Sequence, residues 1–150
     1  MEKVYFDCEE NILNPCWDNV FKAMLTKETE ESRVALTSLL TSVIGQPVAD
    51  LAIAPNEPPA QNITDRSIRF DINCKFDSGE LANVEMNISP YTFGAARLEY
   101  YISRLHSSQD IQGRKKTYKD LKKAYQVTFI AEGKLFHDDE LVHKFMYHDR

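Results

Sequence analysis

Cysteine is scarce and unpaired in this sequence: Cys8, Cys16 and Cys74 are odd in number and show no CxxC spacing. That argues against a disulfide framework and against a structural zinc site, and it fits a reducing compartment. No apolar run approaches the ~20 residues that span a bilayer. The start, MEKVYFDCEEN, has neither a basic n-region nor an apolar h-region. The expectation is a cytoplasmic protein with no membrane partner. Nucleotide-binding and serine-hydrolase signatures are missing as well, with no GxGxxG, GxxxxGKS/T or GxSxG. His106, His137, His143 and His148 have no spacing that makes a metal set, and the HDDE at 137–140 reads as an exposed acidic turn. Net positive charge is lacking too: the formal charge of -5 gives no general electrostatic footprint for nucleic acid.

What is present fits one compact domain over 1–150, with 43% hydrophobic and 27% charged residues in 150. Asn14-Pro15 reads as an N-cap and N1 pair, followed by Trp17, Val20, Phe21, Met24 and Leu25 on one face, which predicts a helix over about 15–26. Glu30 and Glu31, then Leu36, Leu39, Leu40, Val43 and Ile44, predict a second helix over about 29–44, stopped by Gly45 and Pro47. Val48 to Ala54 reads as a short buried strand, and the prolines that follow predict a loop to about Ser67. Further on, Leu98, Tyr101, Ile102 and Leu105 predict a helix of about 93–107. Thr117-x-x-Asp120 then caps a short basic helix before the strand AYQVTFIA. The polar tail from Gly133 leaves room for a final strand around Lys144 to Tyr147.

Between the loop and the third helix lie two strands of opposite halves. Phe70, Ile72, Cys74 and Phe76 alternate with Asp71, Asn73 and Lys75, and Ala82, Val84, Met86 and Ile88 alternate with Asn83, Glu85 and Asn87. Opposed residues of an antiparallel pair share a face, so the apolar rows match only when the two position numbers sum to an even value. A three-residue loop Ser78-Gly79-Glu80, closed by Asp77 opposite Leu81, meets that condition. It predicts Phe76 opposite Ala82, Asp71 opposite Asn87, and Asn73 opposite Glu85.

In that register Asp71 and Glu85 are diagonal neighbours, roughly 7–8 Å apart at the backbone, and can converge on one ion. Magnesium suits the arrangement, since it takes hard oxygen ligands with few of them from protein. Without a cation, carboxylates ~4 Å apart repel by roughly 1–4 kcal/mol, depending on the effective dielectric. The same spacing also serves as the solvated face of an amphipathic hairpin, the commoner use of such a pattern, so spacing by itself does not establish an enzyme.

The order helix, strand, strand, strand, helix, strand, with WDNVFKAML (17–25), RFDINCKFDSGELANVEMN (69–87), Arg97, Tyr101, Gln109, Gly113, Tyr118 and Leu121, resembles the Rpn-type recombination-promoting nuclease/transposase family of PD-(D/E)XK proteins. The resemblance spans about 15–131. It implies an α/β fold with a restriction-endonuclease-like core, a mixed β-sheet flanked by helices in the order αβββαβ. It also implies magnesium- or manganese-dependent endonuclease cleavage of DNA, tied to transposition and recombination of mobile elements. The metal ligands it implies are Asp71, Glu85 and the main-chain carbonyl of Met86. Asn87 stands where the general motif has Lys; it can orient water but supplies no positive charge.

Other residues have two readings each. Asp18 matches the family's D-x-x-F-K pattern, yet Asp18 and Lys22 also form an ordinary i, i+4 surface pair. Glu57, in the proline-rich NEPP, either approaches the site or stays in solvent. Lys75 shares a face with Asp71 and is a source of charge there, or else a solvated residue near a turn. Arg114, Lys115, Lys116, Lys119, Lys122 and Lys123 form a basic stripe that suits a phosphate backbone, as it also suits a solvated surface. Arg97 and Arg104, seven residues apart, extend that stripe or pack their stems at the core edge. The partner expected is DNA, with a homodimer as the further assembly. The alternative function is a nuclease-fold DNA-binding or protein-interaction module that no longer cuts, motivated by Asn87 and the net acidity.

Overall fold

The computed structural model describes residues 13–56, 69–89, 94–111 and 116–146. Three helices and four strands follow one another as α1 (Asp18–Thr26), α2 (Glu30–Ile44), β1 (Leu51–Ile53), β2 (Ile72–Phe76), β3 (Leu81–Asn87), α3 (Ala95–Ser107) and β4 (Ala124–Ile130). The strands form one mixed sheet in the order β1-β2-β3-β4; the first three are antiparallel neighbours and β4 runs parallel to β3. Parallel neighbours need a crossover, and α3 lies in it.

Strand alternation divides the sheet into two unlike faces. Ile72, Cys74 and Phe76 from β2, Ala82 and Val84 from β3 and Val127 from β4 bury against Phe21, Leu25, Leu36 and Leu40 of α1 and α2. That face holds the main core. On the other, Phe70 and Leu105 are buried with Leu81, Tyr101, Ile102 and Ala124, so α3 covers a smaller apolar cluster there. The middle of the polar row on this second face is buried: Asn83 is fully buried, Glu85 is 2% exposed and Asn73 is 9% exposed, while Lys75 is exposed and Asp71 and Asn87 are half-buried. This overturns the reading of the hairpin's polar row as a water-facing surface, because α3 packs over a sheet that is polar on that side.

The hairpin register differs from the sequence expectation by two. Lys75 pairs with Leu81, Cys74 with Ala82 and Ile72 with Val84. Phe76 N donates to Glu80 O at 2.9 Å, and Gly79 N to Phe76 O at 2.9 Å, so the loop is Asp77-Ser78-Gly79. Gly79, at φ 86°, occupies the final loop position, where a three-residue hairpin needs a left-handed residue. Asn73 therefore faces Asn83 rather than Glu85, but parity is unchanged within the ladder, where the side chains of both strands keep their expected faces. Phe70, expected beside Ile72, lies instead on the second face with Leu105, beyond the bend at Asp71.

Smaller differences have local causes. Asn14 opens a turn instead of capping α1, its Oδ1 accepting from Cys16 N, and the helix begins at Asp18. Val48 is held by Thr41 Oγ1 and packs in the core, which leaves β1 only Leu51–Ile53. Thr117 and Asp120 do form a capping box, but it closes a single 3₁₀ turn, Tyr118–Asp120. Residues 144–146 form no strand, and Tyr147 lies outside the described residues. No helix among the described residues is long and apolar enough to cross a membrane.

Candidate metal centre

Hydrogen-bonded and non-hydrogen-bonded positions alternate along an antiparallel pair. Phe76 and Glu80 are hydrogen-bonded, so Ile72 and Val84 are too. One residue further the ladder ends at a bend, and Asp71 there stands near enough for its charge to act on the Glu85 carboxyl. The expected pairing of Asp71 with Asn87 and of Asn73 with Glu85 is replaced by a ladder that pairs Asn73 with Asn83 and ends at Ile72 and Val84. The pair sits at the carboxyl ends of the parallel strands β3 and β4, the end at which α/β sheets present their ligand sites.

The two acids have unequal surroundings. Asp71 retains 24% side-chain exposure, whereas Glu85 is buried. Burial pushes the Glu85 carboxyl above its ordinary range; the Asn83 hydrogen bond opposes this, the Asp71 charge adds to it, and the Arg97 charge and an Asn87 hydrogen bond pull back. Asn83 Nδ2 donates to Glu85 Oε1 at 3.1 Å and to Gln126 Oε1 at 2.9 Å, and Gln126 Nε2 donates to Thr128 Oγ1 at 3.1 Å. A row of polar side chains, half-buried on β4 and buried on β3, thus crosses the sheet and fixes Glu85. Sequence reading noted Asn83 only as part of an alternation and passed over Gln126 and Thr128. The alternation of β4, with Ala124, Gln126 and Thr128 on one side, was the available signal.

Lys22 enters from α1. Its Nζ lies 3.0 Å from Asp71 Oδ1 and 2.9 Å from Asp18 Oδ2, so one ammonium bridges both carboxylates. Burial pulls its pKa down, but hydrogen bonds and charge from Asp18 and Asp71 outweigh that, and the net direction is up. The i, i+4 pair Asp18–Lys22 forms as the sequence suggested, with the added contact to Asp71.

The donor set fits a divalent cation. Two neighbouring carboxylates supply hard anionic oxygens, and a buried acid held above its ordinary pKa gains from a nearby cation. Asn87 O accepts from Ala131 N at 2.9 Å, toward β4, so strand alternation turns the Met86 carbonyl the other way, to the β2 side and past the end of its ladder. Among the described residues, no group of three or more His, Cys, Asp and Glu side chains comes together. An ion here would draw on two carboxylates and main-chain oxygen.

The other candidates fall in different places. Lys75 is exposed near the turn, four residues from Asp71 and about 13 Å away along the strand. Arg97 lies over the Tyr101 ring, 4.9 Å from its centroid, and its charge reaches Glu85 from α3. Arg104 is half-buried, with its Nε enclosed, as core-edge packing requires. Lys116 pairs with Asp110, while Lys119, Lys122 and Lys123 are exposed. Lys122 passes the Gly79 turn, and Lys123 O accepts from Leu81 N at 3.0 Å. The described part of the basic stripe therefore lies at the turn end of the hairpin, roughly 13 Å along β3 from Glu85. Glu57, Arg114 and Lys115 lie outside the described residues.

A mixed four-stranded sheet with helices on both faces, and two acids near each other at its strand ends, is of the restriction-endonuclease-like class. The family model of PD-(D/E)XK nuclease family transposases matches residues 15–150, and this chain belongs to that family. Its role is accordingly a nuclease- or transposase-related one, in a class of enzymes that generally use divalent metals. Comparison with curated proteins and with solved structures returned no match.

Proposed function

We propose that the chain is a cytoplasmic, magnesium- or manganese-dependent DNA endonuclease that acts in the transposition or recombination of mobile elements. The observation that carries this reading is the pair Asp71 and Glu85, near enough at the strand ends to interact by charge, one partly exposed and the other buried. Asp71, Glu85 and the Met86 carbonyl hold the ion. When bound, the ion would acidify a water and offset charge on the scissile phosphate. Asn87, already hydrogen-bonded to Glu85, orients the attacking water. Asn83 keeps Glu85 from turning away. DNA approaches from the solvent-exposed Asp71 side, and Lys119, Lys122 and Lys123 hold its backbone farther along.

The deciding assay is nicking of supercoiled plasmid in magnesium. Wild type nicks, and Asp71→Ala and Glu85→Ala proteins that melt as cooperatively as wild type do not. A second reading, a nuclease-fold DNA-binding or interaction module without cleavage, draws on Asn87 and on the net charge of -5. It predicts salt-sensitive DNA binding that needs the exposed lysines and is indifferent to Glu85. No observation supports the homodimer.

A further inference from the structure

We propose that Lys22 of α1 is a catalytic residue of this site, supplying from a helix the positive charge that strand β3 lacks at Asn87. The inference rests on the nuclease reading above and assigns a group within it.

Three observations converge on Lys22. Its Nζ is 3.0 Å from Asp71 Oδ1, so the ammonium already stands at the acidic pair. The helix that carries it is held there: Phe21 and Leu25, on either side of Lys22 in sequence, are buried in the core, and Phe21 packs against Phe129 with ring centroids 6.0 Å apart. Phe129 is the β4 partner of Met86, so the anchor lies beside the proposed ligands. Finally, the side chain keeps 32% exposure, which leaves the ammonium accessible to a phosphate arriving at Asp71.

The other described cations fit the role less well. Lys75 is exposed and four residues up the strand. Arg97 acts from α3 on Glu85 and has its guanidinium over Tyr101.

Phosphodiester hydrolysis forms a bond from a water oxygen to phosphorus and breaks the bond from phosphorus to the leaving oxygen. The hydroxyl stays on phosphorus and the second water proton ends on the released alcohol. Negative charge builds on the non-bridging oxygens during the exchange, and Lys22 stabilises it while remaining protonated throughout. Asp18, 2.9 Å from Nζ, keeps the ammonium in place when Asp71 turns to an ion.

The test compares wild type with Lys22→Met, Lys22→Gln, Lys22→Arg and the double variant Lys22→Met/Asn87→Lys. Plasmid nicking is read in magnesium, and binding of Mn2+ alone is read by calorimetry. The expected result is a loss of nicking of about 100-fold or more in the Met and Gln variants. Their Mn2+ affinity stays equal or rises, because a competing cation has gone from Asp71. Arginine retains part of the activity, and the double variant regains it by restoring charge from the strand. If Lys22→Met does not fold, Lys22→Gln, which keeps a hydrogen-bonding head, carries the same comparison. Neutral variants that nick as fast as wild type overturn the inference and leave the nuclease reading intact. So do variants whose loss of nicking matches a loss of Mn2+ binding, since Lys22 would then only support the pocket. A wild type that does not nick overturns both.

Discussion

Asn83 and Gln126 face each other across the parallel pair β3–β4, and one amide nitrogen of Asn83 serves both Gln126, at 2.9 Å, and Glu85, at 3.1 Å. A carboxylate as buried as Glu85 needs such a donor, and the donor sits two residues away on the same face. Removing it strands the buried Glu85 Oε1 and the half-buried Gln126 Oε1. Asn83→Ala is expected to cost about 1–3 kcal/mol in urea unfolding, with an unchanged m-value. Asn83 Oδ1 is itself buried without a hydrogen-bond partner, which offsets part of that loss.

The turn offers a check on register. Gly79 has φ 86°, and a Cβ there would meet Lys122 Cγ at 3.5 Å, an ordinary contact. The cost of Gly79→Ala is therefore backbone strain alone, about 1–2 kcal/mol by denaturant midpoint. A hairpin with Gly79 in the middle of its loop and φ negative would show no such loss.

Cys74 is completely buried between the sheet and the α1–α2 layer, and burial pushes its thiol up to about 12 from 9.0. Between those values the unfolded chain has released this proton and the folded chain has not, so the folded state binds more protons. Its contribution to stability consequently falls as pH rises from about 9 toward 12. Peptide mapping after iodoacetamide at pH 8 is expected to find Cys74 unmodified in the native protein and modified in denaturant.

Lys119, Lys122 and Lys123 are exposed at the turn end of the hairpin, away from the acidic pair. If they meet the DNA backbone, each Lys→Ala lowers the slope of log affinity against log salt by about 0.9. Fluorescence anisotropy across a salt series measures this. The nicking rate at saturating DNA should stay within a few-fold of wild type, because these groups bind without touching the reacting phosphate.

Alternation made much of this structure legible in advance. Asp71 and Glu85 could be put on one face because Ile72, Cys74, Val84 and Met86 demand the other. Parity, however, is blind to a shift of two, and the loops 77–79 and 78–80 satisfy it equally, so the pattern does not choose between Asn83 and Glu85 as the partner of Asn73. The burial of Glu85 could not be read from the strand, since it depends on α3 covering the second face. Lys22 looked like half of an i, i+4 pair, and its contact to Asp71, 49 residues away in the chain, exists only once α1 has docked. The basic stripe was visible as composition, but its distance from the acids follows from β4 starting at the turn end.

The central claim is that Asp71 and Glu85 jointly hold a divalent ion, and calorimetric titration of Mn2+ into wild type, Asp71→Asn and Glu85→Gln tests it most directly. Both substitutions keep shape and remove charge. The account predicts saturable binding in wild type, weakened at least about tenfold by either change, as direct ligands should exceed the effect of their supports. Equal affinity in all three proteins would contradict it.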